Sequence, residues 1–369
     1  MIIFTGFTIW IIITLICGAL IFKYKKLIDD AGGDEVHAVS IIIPARNEAG
    51  NLPVLLQSIR TQKGVDADVI VADDGSTDQT AEIAGHFGAD VISVPETELP
   101  GKYFACFTGS RHAGHPLMLF LDADTHFTDD HSVSRLCAQY TRDGGRGALS
   151  VQPFHHTGKS HETLSAVFNL MTVAGINIFS VFKNKYQSGT LFGPVILTNK
   201  KDYEQAGGHM AAAGYIIEGE GLYRAYTAGD MPVSHYLGKR TVHFRMYSEG
   251  FQSMVDGWKK HISIGSENTA GPVMAAIMIW LSAGLIYPIF LLYTLIYEVF
   301  LLPAVVSAYL ISSFQFHRLC RPLIDLSGFG SLFFPVYQYF FFFVYALSLY
   351  QIRIRKTVKW KDREMKHEK

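Results

Sequence analysis

Charge is what this chain of 369 residues has least of. Charged residues make up 18% of it, against about a quarter in an ordinary soluble domain. The shortage is uneven. Met1 to Phe22 carries no charge at all, residues 35–270 have an ordinary mixture, and much of 272–350 is apolar again. The formal net charge is -1, and no basic tract with interleaved aromatics occurs. That absence argues against nucleic acid as a partner. Cysteine is also scarce. Cys17, Cys106, Cys137 and Cys320 stand singly, so their spacing offers neither a zinc site nor a disulfide framework.

The apolar blocks have the length of membrane segments. Residues 1–22 are long enough to span a bilayer, and Lys23, Lys25 and Lys26 follow directly. A cleaved leader would carry its positive charge before the apolar run. The order here reads as an uncleaved anchor with the chain cytosolic from residue 23. Val273 to Tyr297 is long enough to cross. Val299 to Phe316 is shorter and holds Pro303, with Glu298 as a hairpin tip between the two. Phe329 to Tyr350 follows, then a basic tail over 351–369 with Arg353, Arg355, Lys356, Lys359 and Lys361. Four crossings leave that tail outside, against the positive-inside rule; three require a re-entrant or interfacial segment.

Between the blocks, strand and helix alternate. Apolar runs at 40–43, 68–72, 91–94 and 117–121 read as strands, and 51–62, 78–87 and 103–113 as helices. The pattern predicts an α/β, Rossmann-like cytosolic domain with a mainly parallel sheet. Asp78 is a plausible helix cap.

Three of those strands end in polar clusters. The first ends in Pro44-Ala45-Arg46-Asn47-Glu48, where Pro44 is expected to stop the ladder. The second ends in Asp73-Asp74-Gly75-Ser76-Thr77-Asp78, and the fourth in Asp122-Ala123-Asp124. Open α/β sheets bind ligands beyond the carboxyl ends of their strands. Carboxylates gathered there can hold a divalent metal, and the metal a diphosphate. Taken singly, each cluster is also a solvated loop or a helix start.

This set, with Gly101-Lys102, resembles the family 2 glycosyltransferases of the GT-A fold. The resemblance implies that Pro44, Asn47, Glu48, Asp73, Asp74 and Lys102 line the donor nucleotide. It implies that Asp122 and Asp124 bind Mg²⁺ or Mn²⁺ on the diphosphate. Phe192-Gly193-Pro194 to Asp202-Tyr203 and Gly207-Gly208-His209 resemble the acceptor side. In Ile216-Ile217-Glu218-Gly219-Glu220, Gly219 stands where many members carry the basic Asp, so Glu218 is the first candidate base and Glu220 the second. Arg245 and Trp258 suit a clamp and a wall for the diphosphate. Their segment also reads as an amphipathic helix at the membrane surface.

A narrower resemblance is to the glycosyltransferases of C30 carotenoid acids. It rests on Ser150-Val151-Gln152-Pro153, Phe168-Asn169-Leu170-Met171, Leu197-Thr198-Asn199-Lys200 and Phe244-Arg245-Met246-Tyr247. It implies transfer of glucose from UDP-glucose to a carotenoid carboxylate, with inversion, at the bilayer surface. A carboxylate needs no base, which fits Gly219. Leu164 to Phe182 reads either as an interfacial helix at an acceptor groove or as a core helix. The rival readings are transfer to polyprenyl phosphate or another membrane lipid, a processive synthase, and an inactive membrane scaffold.

Overall fold

The computed structural model describes residues 2–24, 35–96, 101–183, 185, 189–215, 217–267, 269–350, 357–360 and 363–366. Lys25, Lys26, Ile216 and most of the basic tail, including Arg353, Arg355, Lys356 and Lys361, lie outside the described residues. The chain forms two compact units, each assembled from separated segments. One comprises Lys25–His156 and Gly189–Arg245; the other Met1–Tyr24, Thr157–Ser188 and Met246–Lys369. This partition differs from the expected boundary at 35–270, because residues 157–188 and 246–270 group with the apolar helices.

The α/β unit, which follows helix α1 (Ile2–Ile21) in the chain, is built on a seven-stranded sheet. Its strands are β1 (His37–Ala45), β2 (Val65–Asp73), β3 (Asp90–Ser93), β4 (Leu117–Leu121), β6 (Ala148–Gln152), β8 (Val195–Asn199) and β9 (Val233–Leu237). The order is β3-β2-β1-β4-β8-β6-β9. The first four are mutually parallel, and helices α2 (Leu52–Arg60), α3 (Thr80–His86) and α4 (Lys102–Ser110) connect them. Strands covered on both faces read as continuous apolar runs, and β1 shows why. Val39, Ile41 and Ile43 enter one buried cluster with Leu52, Leu55 and Leu56, while Ile42 enters another with Cys106 and Phe120. Beyond β4 the sheet is mixed: β8 is antiparallel to β4 and β6, and β9 is parallel to β6. A small second sheet, β5-β10-β7, comprises β5 (Thr125–Phe127), β7 (Phe154–His155) and β10 (Val242–Phe244). Helices α5 (Ser132–Arg142), α7 (Lys200–Gln205) and α8 (Glu218–Ala228) complete the unit.

Two local expectations are corrected. Pro44 does not end β1; it lies inside the strand opposite Ala72. The ladder to β4 has already finished at Ile42–Phe120, so the missing N–H costs no bond on that side. Asp78 lies one residue outside the cap position of α3, which Gln79 occupies, yet its Oδ1 accepts the Thr80 N–H at 3.0 Å.

The second unit is helical apart from a terminal hairpin, β11 (Thr357–Trp360) and β12 (Arg363–Lys366). It contains α1, α6 (Ala166–Gly175), α9 (Phe251–Glu267), α10 (Gly271–Tyr297), α11 (Leu302–Cys320), α12 (Gly328–Ser331) and α13 (Phe334–Tyr350). Three stretches, Ile3–Ile21, Gly271–Tyr297 and Val299–Cys320, are long and apolar enough to cross a membrane. The fourth expected segment, α13, is apolar but only 17 residues long. Several polar side chains on these helices are paired, as burial away from water favours. Trp10 Nε1 donates to Ser282 Oγ at 2.9 Å, Gln315 Nε2 to the Leu15 carbonyl at 2.7 Å, and Tyr287 OH to the Ala308 carbonyl at 2.7 Å. Helix α6 is buried along nearly its whole length, from Ala166 through Met171 and at Val173 and Ala174. Of the two readings of 164–182, it is therefore a core helix.

Gly147 supports the α/β unit at the start of β6. Its φ of +69° is left-handed, and an added Cβ would overlap the Pro232 carbonyl. Its N–H donates to the buried Asp202 at 2.6 Å, and its carbonyl accepts from Tyr140 OH at 3.1 Å and Thr198 Oγ1 at 2.8 Å. Asp202, expected beside the acceptor, is thus occupied by structure. We expect Gly147→Ala to destabilise the protein by about 1–3 kcal/mol, read as a lower unfolding midpoint in detergent. An unchanged midpoint would refute the packing described.

Candidate active site

The parallel strands deliver their carboxyl ends to one edge, and the loops there are tied to each other. Asn47, at φ +54°, accepts the Thr77 N–H through Oδ1 at 2.8 Å, and its own N–H donates to Ser76 Oγ at 2.9 Å. The Glu48 N–H donates to Thr80 Oγ1 at 2.8 Å, and the Ala49 N–H to Asp78 Oδ2 at 3.1 Å. Asp73 accepts the Ser76 N–H at 3.2 Å and the Ser76 hydroxyl. Burial pushes the Asp78 carboxyl up, but the hydrogen bonds from Thr80 and Ala49 outweigh it and hold the group below its usual range. Asn47, Asp73 and Asp78 therefore brace the loops. Glu48 is held by Asn51, whose Nδ2 donates to it at 2.9 Å.

Arg46 was overlooked in the sequence. Its guanidinium donates to the Asp74 carbonyl and lies 4.0 Å from the Asp74 carboxylate. The available signal was a lone cation inside the first motif, beside a second motif rich in acids.

The fourth strand brings the densest charge. The Asp122 N–H donates to the Pro194 carbonyl at 3.0 Å, and the Asp122 carbonyl accepts from Thr125 Oγ1 at 2.7 Å, which fixes the turn. Burial, then Asp122, then Glu48 push the Asp124 carboxyl up to about 7. That ordering brings the ends of β1 and β4 into one electrostatic site. Lys102, at the first turn of α4, answers this charge. Its Nζ lies 2.7 Å from Asp122 Oδ1 and 2.6 Å from Glu218 Oε1, and donates to the Gly193 carbonyl at 3.2 Å. Burial alone would lower the ammonium's pKa, but Asp122 and Glu218 outweigh it and hold it well above its ordinary value. Lys102 thus stays protonated and joins the β4 acids to the start of α8.

The two candidate bases are both engaged. Glu218 is paired with Lys102, and Glu220 with Arg224 one turn along α8 at 2.7 Å. Gly219 has no room for a side chain. A Cβ there would overlap the Leu191 carbonyl and come within 2.8 Å of Thr190 Oγ1. The Leu191 N–H also donates to the Gly219 carbonyl at 2.9 Å, pinning the two backbones together. His209 is fully buried against Phe120, its Nδ1 bonded to Tyr203 OH at 2.9 Å. Burial, helped by Lys102, lowers its pKa to about 3, so it is a neutral part of the floor.

Arg245 directly follows β10, and its N–H donates to the Asp124 carbonyl at 3.2 Å, which brings it to the same edge. Trp258 corrects an expectation. It belongs to the helical unit, is only 6% exposed, stacks on Phe168 at 4.9 Å and donates to Ser165 Oγ at 3.0 Å. It is a core residue rather than an open wall for a ligand.

A mainly parallel α/β sheet whose strand ends collect acids, a lysine and an arginine is the architecture of a GT-A glycosyltransferase. A family model described as glycosyl transferase family 2 matches residues 40–196. The 4,4'-diaponeurosporenoate glycosyltransferase of Staphylococcus aureus strain N315 is 40% identical over 97% of this chain and 96% of its own. The protein of strain MRSA252 matches equally. The chain belongs to glycosyltransferase family 2. Among solved structures, a Pyrobaculum calidifontis mannosyltransferase in complex with GDP-mannose and Mn²⁺ has 16% identity over 85% of this chain and 87% of that one, at a TM-score of 0.48. S. aureus TarS bound to UDP has 14% identity over 89% and 96%, at 0.41.

Gly219→Asp would restore the residue many family members carry, yet we expect it to destabilise the protein by about 1–3 kcal/mol or more through overpacking. Thermal unfolding measures this. A variant as stable as the parent and more active would overturn the account of Gly219.

Proposed function

We propose that this protein transfers glucose from UDP-glucose to the carboxylate of a C30 carotenoid acid, 4,4'-diaponeurosporenoate, with inversion, giving a glucosyl ester. One observation carries the reading: the acids at the ends of β1, β2 and β4 and Lys102 are intact and gathered in a chain 40% identical, over nearly its whole length, to a transferase of that name. In this reading Glu48, Asp73 and Asp74 face the uridine, and Lys102 and Arg245 serve the diphosphate. The helices that can cross a bilayer hold the enzyme on the membrane, with the catalytic unit on the cytosolic side.

The residues fit a divalent cation. Asp124 is raised first by burial and then by the neighbouring Asp122 and Glu48, an environment in which a bound cation would favour its ionised form. Asp122 and Asp124 supply hard oxygen donors of the type Mg²⁺ and Mn²⁺ prefer. Among the described residues no group of three or more His, Cys, Asp or Glu holds an ion unaided, so the rest of the shell falls to diphosphate and water. When bound, the ion would neutralise charge on the departing diphosphate. The chain's own part is to hold that diphosphate between Arg245 and the β4 turn.

Membranes carrying the protein, given labelled UDP-glucose and one lipid class at a time, should label the carotenoid acid more than polyprenyl phosphate and leave the neutral diacylglycerol unlabelled. Label in another lipid alone would displace the acceptor. Asp124→Ala should lower turnover about a thousandfold or more, as expected for losing several kcal/mol of transition-state stabilisation. Near-normal activity would sink the metal assignment.

A further inference from the structure

Glycosyl transfer to an alcohol and to a carboxylate differ by one proton. In both, an oxygen lone pair forms a bond to the sugar's anomeric carbon, and that carbon's bond to the diphosphate oxygen breaks, its electron pair leaving with UDP. An alcohol must also lose its proton, which a positioned base accepts; such a base is worth about 10²–10⁴ in rate. A carboxylate, with a pKa of about 4–5, is already ionised at neutral pH. With it no proton moves, and the products are an ester and UDP.

We infer that this site selects its acceptor by charge: it uses oxygen nucleophiles that arrive ionised, carboxylates above all, and does not glycosylate alcohols. The inference rests on the transferase reading above. Three observations at the start of α8 carry it. Gly219 is closed to any side chain by the Leu191 carbonyl and the Thr190 hydroxyl. Glu218 is drawn 2.6 Å from the Lys102 ammonium, which also holds Asp122, so its charge belongs to a structural bridge. Glu220 is held by Arg224. Gly193 lies close against this bridge, since a Cβ there would stand 3.0 Å from Glu218 Oε1 and 3.3 Å from Lys102 Nζ. Glu218 is then a positioning residue that keeps Lys102 in place. The selectivity extends beyond one pigment: long-chain carboxylic acids of other kinds should become glycosyl esters.

The test uses the full-length protein in lipid, with a carotenoid acid, the matching primary alcohol, a long-chain fatty acid and a polyprenyl phosphate. Turnover of the carotenoid acid should exceed that of the alcohol by about a thousandfold, the scale of a missing base. Its chemical step should show no solvent deuterium isotope effect. Glu218→Gln should cost the acid reaction about tenfold or less, again without an isotope effect. If the carotenoid acid is inert while a fatty acid or the phosphate reacts and alcohols do not, the acceptor named above falls and charge selection stands. Alcohol turnover within tenfold of any acid, or a loss of a hundredfold or more in Glu218→Gln with a solvent isotope effect in the parent, overturns the inference.

Discussion

Negative charge crowded at one edge of the sheet is the constraint around which the α/β unit is arranged. Parallel pairing of β1, β2 and β4 places Glu48, Asp73, Asp74, Asp122 and Asp124 on the same side. Carboxylates so placed repel one another unless cations or N–H donors answer them. The chain answers with Arg46 at Asp74, Lys102 between Asp122 and Glu218, and a mesh of hydroxyl and backbone donors around Asp73 and Asp78. Burial, with Asp122 and Glu48 nearby, holds the Asp124 carboxyl above its usual range. The site is therefore partly neutralised by permanent groups of the chain itself.

Much of this was legible in the residues because short apolar runs ending in acids have few explanations. The run Leu117 to Leu121 became β4 residue for residue, and the acids after it lie where the strand's direction requires. The same logic misled at Pro44, because proline's reputation as a strand terminator ignores that a neighbouring ladder can end first. Trp258 misled for a related reason: an aromatic beside lysines suits a ligand wall and a buried stack equally, and burial is not written in local sequence. Arg46 and the closure over Gly219 depend on contacts between segments 28 residues apart in one case and 28 in the other (46 with 74, 191 with 219), which periodicity does not report.

The role of Lys102 also changes with the structure. Read from sequence, it was one more positive group near a nucleotide. In the fold it is the shared counter-ion of two acids from different elements, the turn after β4 and the first turn of α8. A single ammonium thereby ties the turn after β4 to the start of α8.

The interleaving of the two units bears on how the protein is made. Helix α6 emerges from the ribosome at residues 166–175, long before α9, α10, α11 and α13, the helices it packs against, which begin at residue 251. Its apolar surface must wait through the synthesis of the second half of the α/β unit. Trimming the terminal helices to obtain a soluble enzyme would leave the same surface orphaned permanently. Such fragments should aggregate through the exposed surface of α6.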